Sequence, residues 1–125
     1  MKLKPGDLYF VQEQDVITGQ TSDYFKIGLV GDERTGGVDK RVKEHQTGNP
    51  RQLVSVTHVS SPAIEDLETT IHNWFAIDRI RGEWFQLDSA RFDMVVGAAR
   101  SLAAEQSTYV DVATKVGELD REVSS

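Results

Sequence analysis

Two pairs of chemically capable side chains lie four residues apart in segments of helix-forming composition. Arg41 and His45 fall within Val38–Gln46 (VDKRVKEHQ), and Glu68 and His72 within the segment that follows Pro62. Residues at i and i+4 share one helix face. On such a face an Arg is a natural phosphate clamp, because its planar fork can donate two parallel hydrogen bonds. A carboxylate is a hard ligand for Mg²⁺, which ordinarily takes one or two protein carboxylates plus water and phosphate oxygens. The same spacing also suits zinc, but zinc needs more nitrogen or sulfur partners than this chain clearly supplies. A third pair, Tyr9 and Lys26, sits on consecutive strand-like segments. Side by side, the ammonium would favour the phenolate and lower a tyrosine pKa of about 10. Each pair also has a plain structural reading: exposed helix residues, a helix-edge Glu–His contact, and ordinary strand packing. No standard Gly-rich phosphate loop, nucleophile elbow or cysteine nucleophile accompanies them.

The elements that must position these residues are readable from pattern. Asp7–Gln12 (DLYFVQ) and Asp23–Val30 (DYFKIGLV) are rich in β-formers, and the polar stretch between them contains Gly19, so they predict a hairpin. A glycine-rich charged loop, 31–37, leads into the helix over Val38–Gln46, which stops at Thr47-Gly48-Asn49-Pro50. Gln52–Val59 predicts a third strand. Ser61-Pro62 then predicts a helix start, with Ser as N-cap and Pro at the first helical position, followed by Glu65 and Asp66 near the positive end of the dipole. In that helix Ile64, Leu67, Ile71, Trp74 and Phe75 form one apolar stripe. Gly82–Leu87 (GEWFQL) is an edge strand or a structured loop. Ala90–Gln106 is a second amphipathic helix, carrying Phe92, Val95, Val96, Ala99, Leu102 and Ala103 on one face. Beyond Thr108, Val112, Val116, Leu119 and Val123 fall at near-heptad spacing in a polar tail, which reads as a terminal helix, a dimer contact or a frayed end. The expected architecture is α/β: a small antiparallel sheet of about three strands flanked by helices, in one domain over 1–125, with a core over 7–88 and a C-terminal helical extension over 89–125.

Composition narrows the function classes. The 125 residues contain no cysteine, which suits a reducing compartment and excludes a disulfide framework or a thiolate metal site. The opening MKLKPGDLYF lacks the apolar run of a signal peptide, and no stretch is long enough to span a bilayer, so the expectation is a cytoplasmic protein without a membrane partner. Fourteen basic residues against 20 acidic argue against indiscriminate nucleic-acid binding, which draws its affinity from counterion release. The charge is uneven, however. Lys26 to Arg51 holds six basic and four acidic residues, while Asp88 to the end holds four basic and seven acidic. A locally positive segment on an acidic body fits a confined phosphate site, although most charge runs are simply solvated faces.

Taken in order, these residues resemble the GIY-YIG nuclease superfamily. Its pattern is a strand ending in I-Y or V-Y, a second ending in Y-I-G or K-I-G, an Arg on the next helix and a Glu on a later one. Here these are Leu8-Tyr9, Lys26-Ile27-Gly28, Arg41 in DKRVKEH and Glu68 in LETTIHNWF. Thr47-Gly48-Asn49-Pro50 and Gly82-Glu83-Trp84-Phe85 bring the likeness closer to a phage and bacterial branch whose second motif begins with Lys. The likeness covers about residues 7 to 88. Asp7 stands at the usual glycine of the first motif, with Gly6 before it. The Gly-Glu-Trp-Phe segment stands where several relatives have an asparagine. The resemblance implies a DNA endonuclease that hydrolyses phosphodiesters with one divalent ion, Mg²⁺ or Mn²⁺. By position, Tyr9 serves as or assists the general base, Arg41 stabilises phosphate charge and Glu68 holds the metal. Lys26 stands where many members have a second tyrosine, and His45 at a helix position often His in related homing enzymes. Substrate contacts are expected from Gly28, Lys40, Lys43, Asn49 and His72. Two alternatives stay open: a catalytically weak nucleic-acid-binding or regulatory module on the same fold, and a protein–protein adaptor or homodimer built through the C-terminal helices.

Overall fold

A computed structural model describes residues 1–31, 37–46 and 52–124, without the side chains of 40, 41, 44, 45 and 120–124. Three long strands form the body of one antiparallel sheet: β1 (Gly6–Gln14), β2 (Thr21–Gly31) and β3 (Gln52–Ser61). The β1–β2 hairpin turns at Asp15, whose side-chain oxygen accepts the backbone N–H groups of Ile17 and Thr18 at 2.8 and 3.0 Å. That is the local bonding that makes Asp a turn former. A short hairpin, β4 (Arg79–Arg81) and β5 (Trp84–Gln86), adds two more strands, giving the order β3-β1-β2-β5-β4. The sheet is therefore antiparallel as expected, with five strands rather than about three. The aromatic GEWF segment supplies an inner strand, β5, between β2 and the edge strand β4, rather than an edge strand or a loop.

Alternation along β1 sends its side chains into two separate cores. Leu8 and Phe10 point to one face, where they join Phe25, Ile27, Val59 and the buried stripes of α2 (Ile64–Trp74) and α3 (Ser89–Ser124). Tyr9 and Val11 point to the other face and pack with Val30, Leu53, Trp84, and Val38 and Val42 of α1 (Gly37–Gln46). The helices thus cover opposite faces of the same sheet.

Two local expectations need correction. Ser61 is not an N-cap: it ends β3, paired with Gly6, and α2 begins only at Ile64. Strand pairing holds Ser61 extended, so its hydroxyl accepts the Ala63 N–H (3.0 Å) and lies against Gln106 of α3. The first helical N–H of α2 finds a backbone partner instead, Ile64 donating to the Lys4 carbonyl at 3.0 Å. Trp74 does not join the buried stripe. It is 59% exposed, because α2 ends there and Ile71 and Phe75 complete the packing. The C-terminal region is one continuous helix, α3, started by Asp88, whose carboxylate accepts the Arg91 N–H at 2.7 Å.

Candidate functional site

The registers of β1 and β2 bring the first two motifs together. Tyr9 lies opposite Gly28, and Lys26 opposite Val11, so Tyr9, Gly28 and Lys26 share the α1 face on neighbouring strands. Tyr9 is fully buried, and its ring lies across Gly28. A Cβ at position 28 would fall on the Tyr9 hydroxyl and lie 2.5 Å from the ring carbon that bears it. The glycine of the K-I-G motif is thus a steric requirement of the tyrosine beside it. Gly6 has a similar reason: a Cβ there would stand 2.5 Å from the Val30 carbonyl oxygen and 2.9 Å from Ile64.

Glu83, quoted in the sequence only as part of the G-E-W-F segment and given no role there, belongs to this constellation. Its Oε2 would stand 2.9 Å from that same Cβ on Gly28, which puts the carboxylate beside the Tyr9 hydroxyl. It also faces the Lys26 ammonium at 3.9 Å. Lys26 is well covered, at 16% side-chain exposure, so this attraction is less screened than that of a surface pair. The backbone fixes the placement: the Ile27 N–H donates to the Glu83 carbonyl at 2.9 Å, just where the β2–β5 ladder ends at Lys26–Trp84. The sequence carried one signal for this residue, a lone charge between a turn glycine and two aromatics. Its spatial neighbours follow only from how β4 and β5 dock on β2.

Past Lys26 the β2 edge is no longer paired with β5, and α2 approaches there. His72 places Nε2 at 2.9 Å from the Ile27 carbonyl oxygen and packs edge-on against Phe85, with ring centroids 5.1 Å apart. This histidine ties α2 to the strand edge. One turn earlier, Glu68 lies half-buried beside the fully buried Leu67, and its Oε2 has no hydrogen-bond partner among the described residues. Desolvation foremost, then the negative charges of Glu83 and Glu65, push its pKa up to about 7. The influence of Glu83 links the two carboxylates electrostatically, although α2 packs on the face opposite the Tyr9 ring. Glu68 therefore approaches the Tyr9–Lys26–Glu83 group from the β2 edge rather than from the α1 layer.

Lys43 is exposed on α1. Arg41, His45 and Lys40 lie on the same helix, with side chains outside the described residues, and Asn49 with its Thr-Gly-Asn-Pro stretch is outside them altogether. Among the described residues no three His, Cys, Asp or Glu side chains cluster in a way that would hold a metal by themselves. Nor is any helix among them long and apolar enough to cross a membrane.

Chemically, the arrangement offers a phenol, an ammonium and a carboxylate gathered over a strand glycine, next to a second carboxylate held at the edge of ionisation. Groups with perturbed ionisation and unsatisfied buried oxygens concentrate at functional sites. No curated protein and no solved structure matches the chain at a significant level. A family model does match, over residues 8–100, the span from β1 through the first third of α3 that holds every residue of this constellation. The chain belongs to the T5orf172 domain family, a phage-associated domain related to nuclease-like folds.

Proposed function

We propose that this protein is a divalent-metal-dependent DNA endonuclease of GIY-YIG type, acting in the cytoplasm on the phosphodiester backbone. The observation that carries the reading is the Glu68 carboxylate, half-buried, with an oxygen that has no partner among the described residues, beside the Tyr9–Lys26–Glu83 group. A buried oxygen without a donor costs free energy unless something positive completes it. One Mg²⁺ or Mn²⁺ on Glu68 would fit that vacancy of charge, supplying Lewis-acid stabilisation of the leaving oxygen. The chain's own groups do the rest by position. Tyr9 would act as the phenolate, taking the proton of the attacking water and becoming the neutral phenol as hydroxide adds to phosphorus. Lys26 and Arg41 offset charge on the phosphate, and His45 is placed by sequence on the Arg41 face. Glu83 and Lys26 both stand by the phenol, the carboxylate beside its hydroxyl and the ammonium 3.9 Å from that carboxylate. Gly28, Lys40, Lys43, Asn49 and His72 remain the proposed surroundings of the substrate.

The net charge of −6 favours a second reading, a DNA-binding or regulatory module on the same fold without efficient turnover. A nicking assay on supercoiled DNA at low salt, with Mg²⁺ or Mn²⁺, separates the two. Glu68→Ala and Arg41→Ala should each lose most of the rate while the circular dichroism spectrum is retained. Equal trace activity in wild type and Glu68→Ala would reject the endonuclease, leaving the binding module as the better account.

A further inference from the structure

Near its middle α3 still touches the rest of the fold through Gln106, whose amide donates to the Ala63 carbonyl at 3.2 Å, and Ser107, which borders the cleft formed with Pro5 and Ser60. From there the helix continues to Ser124, and no described residue after Ala103 is buried. Its composition does not favour a free helix. Between Thr108 and Gly117 stand Thr108, Tyr109, Val110, Val112, Thr114, Val116 and Gly117, all middling to poor helix formers. A solitary overhang of this length is marginal in water even for alanine-rich sequences. Yet four large apolar side chains lie open along it: Tyr109 (61% exposed), Val112 (55%), Val116 (51%) and Leu119 (60%).

Their spacing of three, four and three residues is the a/d pattern of a coiled coil, with Tyr109 and Val116 at a, and Val112 and Leu119 at d. This seam requires a helix as its partner. The apolar face of α2 is already spent on the core, through Ile64, Leu67 and Ile71. A second copy of the chain brings an identical, self-complementary seam, which is what a two-fold interface needs. We propose that α3 pairs, from Tyr109 onward, with α3 of a second copy as a parallel two-stranded coiled coil. A β-branched residue at a (Val116) followed by Leu at d (Leu119) is the combination that favours two parallel strands. Four apolar side chains a copy bury roughly 800 Å² in total, below the roughly 1,200–2,000 Å² of stable complexes. A seam this short makes a weak dimer, so association is concentration-dependent. The inference is independent of any phosphate chemistry at Glu68.

Sedimentation velocity on the full chain from roughly 5 to 500 µM tests it, a span that brackets micromolar dissociation constants. The mass should rise from 14.0 kDa toward twice that, and Val116→Lys should hold it at the monomer. Because the chain has no cysteine, Val112→Cys gives a single thiol, which should cross-link two copies under mild oxidation. The exposed Ala104→Cys, outside the seam, should not. A wild type that stays monomeric across the series overturns the proposal and leaves the seam to a different helical partner. A dimer that survives Val116→Lys, or cross-links equally through both thiols, overturns it as well, since association then uses another surface.

Discussion

Replacing Glu68 with Gln should make the metal-free protein more stable at alkaline pH. The native carboxyl is pushed up to about 7 from an ordinary value of 4.5, by desolvation first and by Glu83 next. Unfolded, the same group returns to its ordinary value. A carboxyl whose folded pKa is raised favours the protonated form, so its contribution is fully present below about 4.5 and is lost as pH rises through 7. Above 7 the wild type must hold an ionised carboxylate where water is scarce. The difference of about 2.5 units corresponds to about 3.4 kcal/mol at about 1.4 kcal/mol per unit. Glu68 is only half-buried, so solvent screening reduces this to about 1–2 kcal/mol. Gln mimics the protonated acid and carries no such penalty. Thermal melts without divalent ions should place Glu68→Gln about 4–8 °C above wild type at pH 8. The gap should shrink through pH 6 and close near pH 4.5. A constant gap from pH 5 to 8, or a wild type more stable at pH 8, would refute the desolvated-carboxylate account.

Two further substitutions probe the neighbouring groups. Gly28→Ala should destabilise the fold by about 1–3 kcal/mol, the range of overpacking in a closed core, because its Cβ collides with the Tyr9 phenol. Combining it with Tyr9→Ala should recover part of that loss in urea titrations, and no recovery would mean the collision lies elsewhere. Tyr9→Phe keeps the ring packing and should leave the melting curve within a few degrees of wild type. It should cut phosphodiester cleavage by about a hundred- to ten-thousand-fold if the hydroxyl assists the base, and an unchanged rate would remove Tyr9 from catalysis.

What could be read from the sequence depended on whether local pattern or distant geometry decided the outcome. The β-former-rich runs around Tyr9 and Ile27 were legible as two strands, but their faces were not: the register of the folded hairpin places Leu8 and Phe10 in one core and Tyr9 and Val11 in the other. The stripe of Ile64, Leu67 and Ile71 likewise made α2 legible. Its start was misread because Ser61 obeyed a longer-range rule: pairing with Gly6 keeps it in β3, and the Lys4 carbonyl supplies what a capping side chain would have offered. Local propensity yields to sheet pairing when the pairing also satisfies the backbone. Glu83 shows the same limit at the site. Its neighbours Lys26 and Tyr9 are 57 and 74 positions away in sequence, and only the docking of the β4–β5 hairpin on β2 creates the contact. The motif glycine was legible as a letter in K-I-G, but its reason was not, since that reason is the tyrosine ring lying across the neighbouring strand. Such a constellation couples its members sterically and electrostatically. Substitutions at Tyr9, Gly28, Lys26, Glu68 and Glu83 should therefore combine non-additively, as expected for residues in one shared environment.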